Sequence, residues 1–94
     1  MEFEWDAAKA ASNLRKHGID FEDAIVIFDH PMLEARSDRS GEERWKALGI
    51  LNDVLIAVIY TRRDSRRRII SARKAKRNER EEYRAAYLDQ PEEG

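Results

Sequence analysis

Residues 54–60 read VLIAVIY, an unbroken apolar stretch in a chain where 39% of residues are charged. Successive side chains of an extended strand point to opposite faces, so this segment presents apolar surface on both. It is stable only in the middle of a sheet that is covered above and below. The 94 residues leave room for one such sheet and little else, so a single domain is expected across residues 1–94.

The flanks of this central strand define its neighbours. Before it, ERWKALGIL (residues 43–51) reads as a strand, and Asn52 and Asp53 supply the chemistry of a tight hairpin. After it, Arg62 to Ser65 form a turn and RRIISAR (residues 67–73) returns as the last strand. Regular alternation places Arg66, Arg68, Ile70 and Ala72 on one face of that strand, with Arg67, Ile69, Ser71 and Arg73 on the other.

The rest of the chain is helical or edge-like. In MEFEWD, Phe3 and Trp5 alternate with acidic residues, the pattern of a short strand, and Asp6 is placed to cap the helix that follows. That helix, AAKAASNLRKH, ends at Gly18, with Lys16 and His17 suited to the negative helix terminus. A second helix starts at the N-cap Asp20, buries Phe21, Ala24, Ile25 and Phe28 along one stripe, and stops at His30–Pro31. A brief strand and a polar loop fill MLEARSDRSGEE, and a final helix runs from about Arg77 to Leu88. The order β-α-α-β-β-β-β-α predicts an α+β fold, with helices placed before and after an antiparallel meander.

The net charge of −1 conceals an asymmetry. From Arg62 to Arg84 there are 11 Lys and Arg residues against Asp64, Glu79, Glu81 and Glu82, and an acidic tail, LDQPEEG, follows. There is no cysteine, hence no disulfide or thiolate metal site, and no apolar run of signal-peptide or membrane-spanning length. A soluble, cytoplasmic protein without membrane association is expected. Phosphate loops, nucleophile elbows and H-E-x-x-H are all absent, and His17 and His30 lack metal-ligand company. Neither metal nor cofactor is expected.

The basic strand carries most of the remaining chemistry. Rigid guanidinium forks match phosphate oxygens and stabilise charge that builds on them, so Arg67, Arg68 and Arg73 are candidates for binding a phosphodiester. The same run also fits a solvated face of ion pairs with Glu42, Glu43 and the acidic side of the last helix. Histidine is the side chain suited to proton transfer near neutral pH, so His17 can serve in that role or simply complement a helix end. Arg44 and Lys46 share a strand face opposite Trp45, either converging on an anion or fringing the sheet. Glu79 can cap the last helix or bind a strand arginine, while Tyr83 and Tyr87 can pack together or stack on bases.

Three separated motifs, FEWDAAKAASNLRKHGIDFEDA, ERWKALG and RIISARKAKRNEREEY, resemble the BrnT family of toxins from bacterial type II toxin-antitoxin systems. The resemblance spans residues 3–83 in the right order. It implies a small RelE-like fold: an antiparallel sheet with two N-terminal helices and a C-terminal helix. It further implies metal-independent endoribonuclease activity that inhibits translation, an RNA substrate, and neutralisation by a BrnA-like antitoxin through which DNA is contacted indirectly. A chain that only binds RNA or protein, serving as co-repressor, is the alternative. Matched residue by residue, the family's elements point to His17, Arg44, Arg68, Arg73 and Glu43 for catalysis. Lys16 and Ser71, from the same elements, are candidates for RNA binding together with Lys46, Arg67 and Arg77. One departure is Lys76, where such sequences often carry the Ser or Thr of a capping box; Asn78 is the expected replacement cap.

Overall fold

The structure, a computed structural model, describes residues 2–87. Its elements are β1 (Glu2–Trp5), α1 (Ala7–His17), α2 (Phe21–Ala24), which continues as a 3-10 segment (Ile25–Asp29), β2 (Leu33–Arg36), β3 (Trp45–Leu51), β4 (Val54–Arg63), β5 (Arg66–Lys74) and α3 (Arg77–Tyr87). This is the order expected from the sequence; the final helix is described to Tyr87, so the expected end at Leu88 lies outside the described residues. The strands form one sheet in the order β1-β5-β4-β3-β2, and β4, which contains VLIAVIY, occupies the centre.

The expectation of an antiparallel sheet holds for β2 to β5 and fails for β1, which pairs parallel to β5 with Glu2 opposite Arg66 and Trp5 opposite Ile69. Tight turns force antiparallel neighbours, whereas β1 arrives from the far end of the chain and is free of that constraint. Its acidic side chains decide where it sits. Glu2 and Glu4 bind Arg66 and Arg68 at 3.1 and 2.7 Å, while Phe3 and Trp5 pack toward the helices. At the β3–β4 hairpin, Asn52 and Asp53 both take positive φ (49° and 67°), the backbone that a two-residue turn needs to match strand twist.

The second helix departs from its expected form. Only Phe21–Ala24 is α-helical, and Ile25–Asp29 tightens to 3-10 geometry. The β-branched run Ile25-Val26-Ile27 crowds an α-helical turn, and three residues per turn align Phe21, Ala24 and Ile27 instead. All three are fully buried, whereas Ile25, expected in the stripe, is only partly so. They pack on Ala47, Ile56, Val58, Tyr60, Ile69 and Ala72, the helix side of the sheet. Contact is close enough to require glycine at position 49, where a Cβ would meet the Ile27 Cβ at 2.7 Å.

α3 covers the other face of the sheet, but only at one end. Tyr83 packs on Leu48 and Ala57, with Leu33 and Leu55 around them. Beyond Ala57 that face is not covered by α3, and the basic side chains of β5 emerge there.

Candidate active site

A break in the ladder organises this uncovered face. β4 and β5 pair Ile59 with Ser71 and Tyr60 with Ile69, leaving Ile70 as an extra residue in β5. Such a bulge resets the alternation of side chains. Beyond it, Ser71 and Arg73 share the face of Arg68, whereas unbroken alternation would have set them opposite. Ile69 and Ala72 join the buried helix side.

α1 forms the second wall. Asn13, 5% exposed, donates its amide N–H groups to Ile19 O and Ala72 O (3.0 and 2.9 Å) and accepts from the Ala72 N–H (3.1 Å). β1 ends its pairing at Ile69, so this side-chain amide takes the place of a strand at the exposed edge of β5. Lys9, Asn13, Lys16 and His17 recur at helical spacing, and anchoring Asn13 turns all of them toward β5. They line a hollow of about 250 Å³ together with Ser12, Ile70 and Ser71. Asp6 caps α1, with its carboxylate accepting from the Ala8 and Lys9 N–H groups, and Gly18 (φ 69°) closes the helix.

The third wall is the loop from β2 to β3. Ser37 N–H donates to Arg44 O at 2.7 Å, and Arg39 and Glu42 exchange backbone bonds. Asp38 accepts two bonds from Arg36 and one from the Arg44 N–H, and these contacts hold its carboxyl below the usual range, with the Arg36 bond the largest cause. Arg44 is thereby directed into the cleft, where it lines two further hollows of about 280 and 90 Å³. All three hollows border Ile70 and so adjoin one another; together they make up the basic cleft.

At the base of α3 lies Glu79, 2% exposed, whose carboxylate takes two bonds from Arg73 (2.7 and 3.0 Å), one from Lys46 Nζ (2.9 Å) and one from the Lys76 backbone N–H (2.8 Å). The last of these is half of a capping box: Glu79 caps the helix start, the part expected of Asn78, and Lys76 cannot return the second bond. Burial alone would raise the Glu79 pKa, but the bonds from Arg73, Lys76 and Lys46 outweigh it and hold the carboxyl at about 2. The same contact raises Arg73 further above its ordinary value.

The structure therefore brings together Lys16, His17, Arg44, Arg68, Ser71 and Arg73, with Lys46 directly behind through Glu79. Three other candidates are placed elsewhere. Arg67 lies on the opposite face, its guanidinium 4.4 Å from the Phe28 ring centre and 5.5 Å from that of Tyr60, where burial lowers its pKa. Glu43 is exposed and paired with Arg36 at 3.3 Å. Arg77 is exposed on α3, 3.4 Å from Glu81. Of the ion pairs expected for the basic strand, the one from Arg73 to Glu79 of the last helix is present; Arg68 binds Glu4 of β1 at 2.7 Å instead, and Glu42 is taken by Arg44 at 2.8 Å.

The cleft also contains residues that the sequence reading missed. Lys9, Arg39, Arg63 and Lys76 line it, and none of them has a carboxylate partner within ion-pair distance among the described residues. Lys9 was legible from its spacing to Asn13 and Lys16; the others depend on loop conformation and the bulge. A larger hollow of about 460 Å³ lies toward the other end of α3, among His30, Pro31, Ile50, Tyr83 and Tyr87, away from the basic groups. There the Tyr83 and Tyr87 rings pack with centres 4.9 Å apart and planes tilted by 46°, and the Tyr87 hydroxyl donates to Met32 O.

A family model described as ribonuclease toxin, BrnT, of type II toxin-antitoxin system matches residues 5–79. No curated protein matches the sequence. Among solved structures, the crystal structure of the Brucella abortus ribonuclease toxin BrnT is similar at 31% identity, covering 82% of this chain and 99% of that one with a TM-score of 0.64. Agreement of sequence and fold over most of the chain bears out the resemblance read from the motifs: the protein belongs to the BrnT family of ribonuclease toxins of type II toxin-antitoxin systems.

Proposed function

We propose that the basic cleft cleaves RNA without a metal ion, through attack of a ribose 2′-oxygen on the adjacent phosphorus. The observation that carries this reading is the bulge at Ile70, which sets Arg68, Ser71 and Arg73 on one face opposite His17 and Arg44. The new bond joins O2′ to phosphorus, and the bond from phosphorus to O5′ breaks. The products are a 2′,3′-cyclic phosphate and a 5′-hydroxyl. His17 and Lys16, side by side on the cleft wall, move the protons, one taking that of the 2′-hydroxyl and the other giving one to the departing O5′; Glu43, the other candidate base, is directed to Arg36 instead. Arg44, Arg68 and Arg73 stabilise the added negative charge on phosphorus oxygens.

In the cell, cleavage by this cleft stops translation, and an antitoxin similar to BrnA silences it. A segment suited to that task is acidic and amphipathic, covering the cations of the cleft and ordering on contact. DNA is reached through the antitoxin.

One observation favours a second reading, a chain that binds without cutting. Arg44, Arg68 and Arg73 each already bind a carboxylate, which reduces the charge available to a phosphate. Incubating the purified chain with a defined RNA in EDTA, then identifying product ends, separates the two. Cyclic phosphate ends from the wild type but not from Arg73→Ala support the cleavage reading. Binding with no products, with or without ribosomes, supports the second, and equal cleavage by both proteins removes Arg73 from the site.

A further inference from the structure

We propose that Glu79 is a positioning residue for RNA cleavage: a buried carboxylate clamp that holds Arg73 and Lys46 in one orientation toward the scissile phosphate. This rests on the reading of the cleft as a ribonuclease site. Glu79 is buried and lines none of the hollows of the cleft, so its effect passes through the groups it holds.

The geometry is specific. Arg73 donates one N–H from each terminal nitrogen to Glu79, and Nη1 also approaches Lys74 O at 3.4 Å. The Nε edge, with the second N–H of Nη2 beside it, has no partner among the described residues, and such an edge takes two oxygens of a phosphate together. Arg73 lines the cleft from this position and its side chain is 22% exposed. A free arginine loses rotamer freedom on binding an anion, whereas one already clamped loses little. Lys46, 17% exposed, shares the carboxylate and comes from the opposite side, through β3.

The clamp also weakens attraction for RNA, because its negative charge offsets one of the cations it orders. Removing that charge therefore has two opposite effects. Binding strengthens, since an additional cation becomes available to phosphate. Turnover falls, since Arg73 is no longer aimed. A residue important only for folding would move both in the same direction.

Glu79→Gln keeps an oxygen for the Lys76 N–H and so retains the helix cap while removing the charge. Single-turnover cleavage is expected to drop by about 10- to 100-fold. Binding of a non-cleavable RNA with a 2′-deoxy scissile position is expected to tighten, its salt dependence steepening by about 0.7 in the log–log slope. Glu79→Asp provides a second test should the glutamine variant not fold. It keeps the charge but shortens the clamp, so cleavage falls while affinity and salt slope stay at wild-type values. Cleavage within twofold of wild type in either folded variant overturns the positioning role and leaves the ribonuclease reading intact. A parallel loss of cleavage and binding also overturns it, assigning Glu79 to structure alone. Wild-type protein that cuts no RNA, with or without ribosomes, overturns the ribonuclease reading and the clamp with it.

Discussion

Replacing Asn13 with alanine tests how α1 is attached to the sheet. The side chain makes three bonds in a buried setting, two to Ala72 and one to Ile19 O. Its loss leaves three backbone groups without these partners, at a cost of about 1–3 kcal/mol each when water cannot replace them. The hollow beside Asn13 admits some water, which favours the lower end of that range. Alanine is the better helix former and returns about 0.6 kcal/mol. The net expectation is a loss of about 3 kcal/mol, a large share of the stability of a domain this size. In urea the midpoint should fall by about 2 M, given a slope near 1–2 kcal/mol per M for a small domain. Melting should drop by about 12–20 °C. Asn13→Asp, which can still accept from the Ala72 N–H but cannot donate, should lose more than it keeps. A loss below about 1 kcal/mol for Asn13→Ala would refute the argument that this amide completes the edge of β5.

Gly49→Ala forces a methyl group into Ile27 and should cost about 1–3 kcal/mol in urea unfolding; combining it with Ile27→Val should recover part of that loss. Glu79 has a depressed folded-state pKa, so its contribution is fully present above its ordinary value of 4.5 and is lost as pH falls through about 2. Unfolding free energy measured from pH 6 to pH 2 should therefore decline by about 3 kcal/mol more in wild type than in Glu79→Gln. Equal declines would show that another group controls acid unfolding. The face assignment is checked by a pair of variants assayed for RNA cleavage. Arg67→Met, on the helix side, should leave the rate within twofold and stability within about 1 kcal/mol, because it removes a desolvated cation while Glu34 keeps Arg62. Arg68→Met should lower cleavage strongly, and the reverse ranking would contradict the bulge.

Much of the candidate site was legible from local pattern. Arg44, Arg68, Arg73, Lys16 and His17 stood out as cations on elements whose order was read correctly, and they meet in the cleft. Arg67 was misread for a definite reason: period-two alternation continued through Ile70 pairs it with Arg73, and one extra residue reverses that relation. Asn13 gave no sign of its part, because an asparagine in an Ala-rich helix reads as an ordinary polar position until the edge of β5 is seen beside it. Glu43 and Glu42 look interchangeable in the sequence; loop geometry sends one to Arg36 and the other to Arg44.

Properties that depend on neighbours along the chain were decided by the sequence alone. Among these are the strand character of VLIAVIY, the turn at Asn52 and Asp53, the cap at Asp6 and the stop at Gly18, all of which follow from backbone preference and side-chain period. The parallel docking of β1, the 3-10 form of Ile25–Asp29, the bulge at Ile70 and the burial of Glu79 between two cations were decided only by tertiary structure. Each depends on a partner distant in sequence, and packing or charge pairing with that partner outweighs the small local preferences of the segment itself.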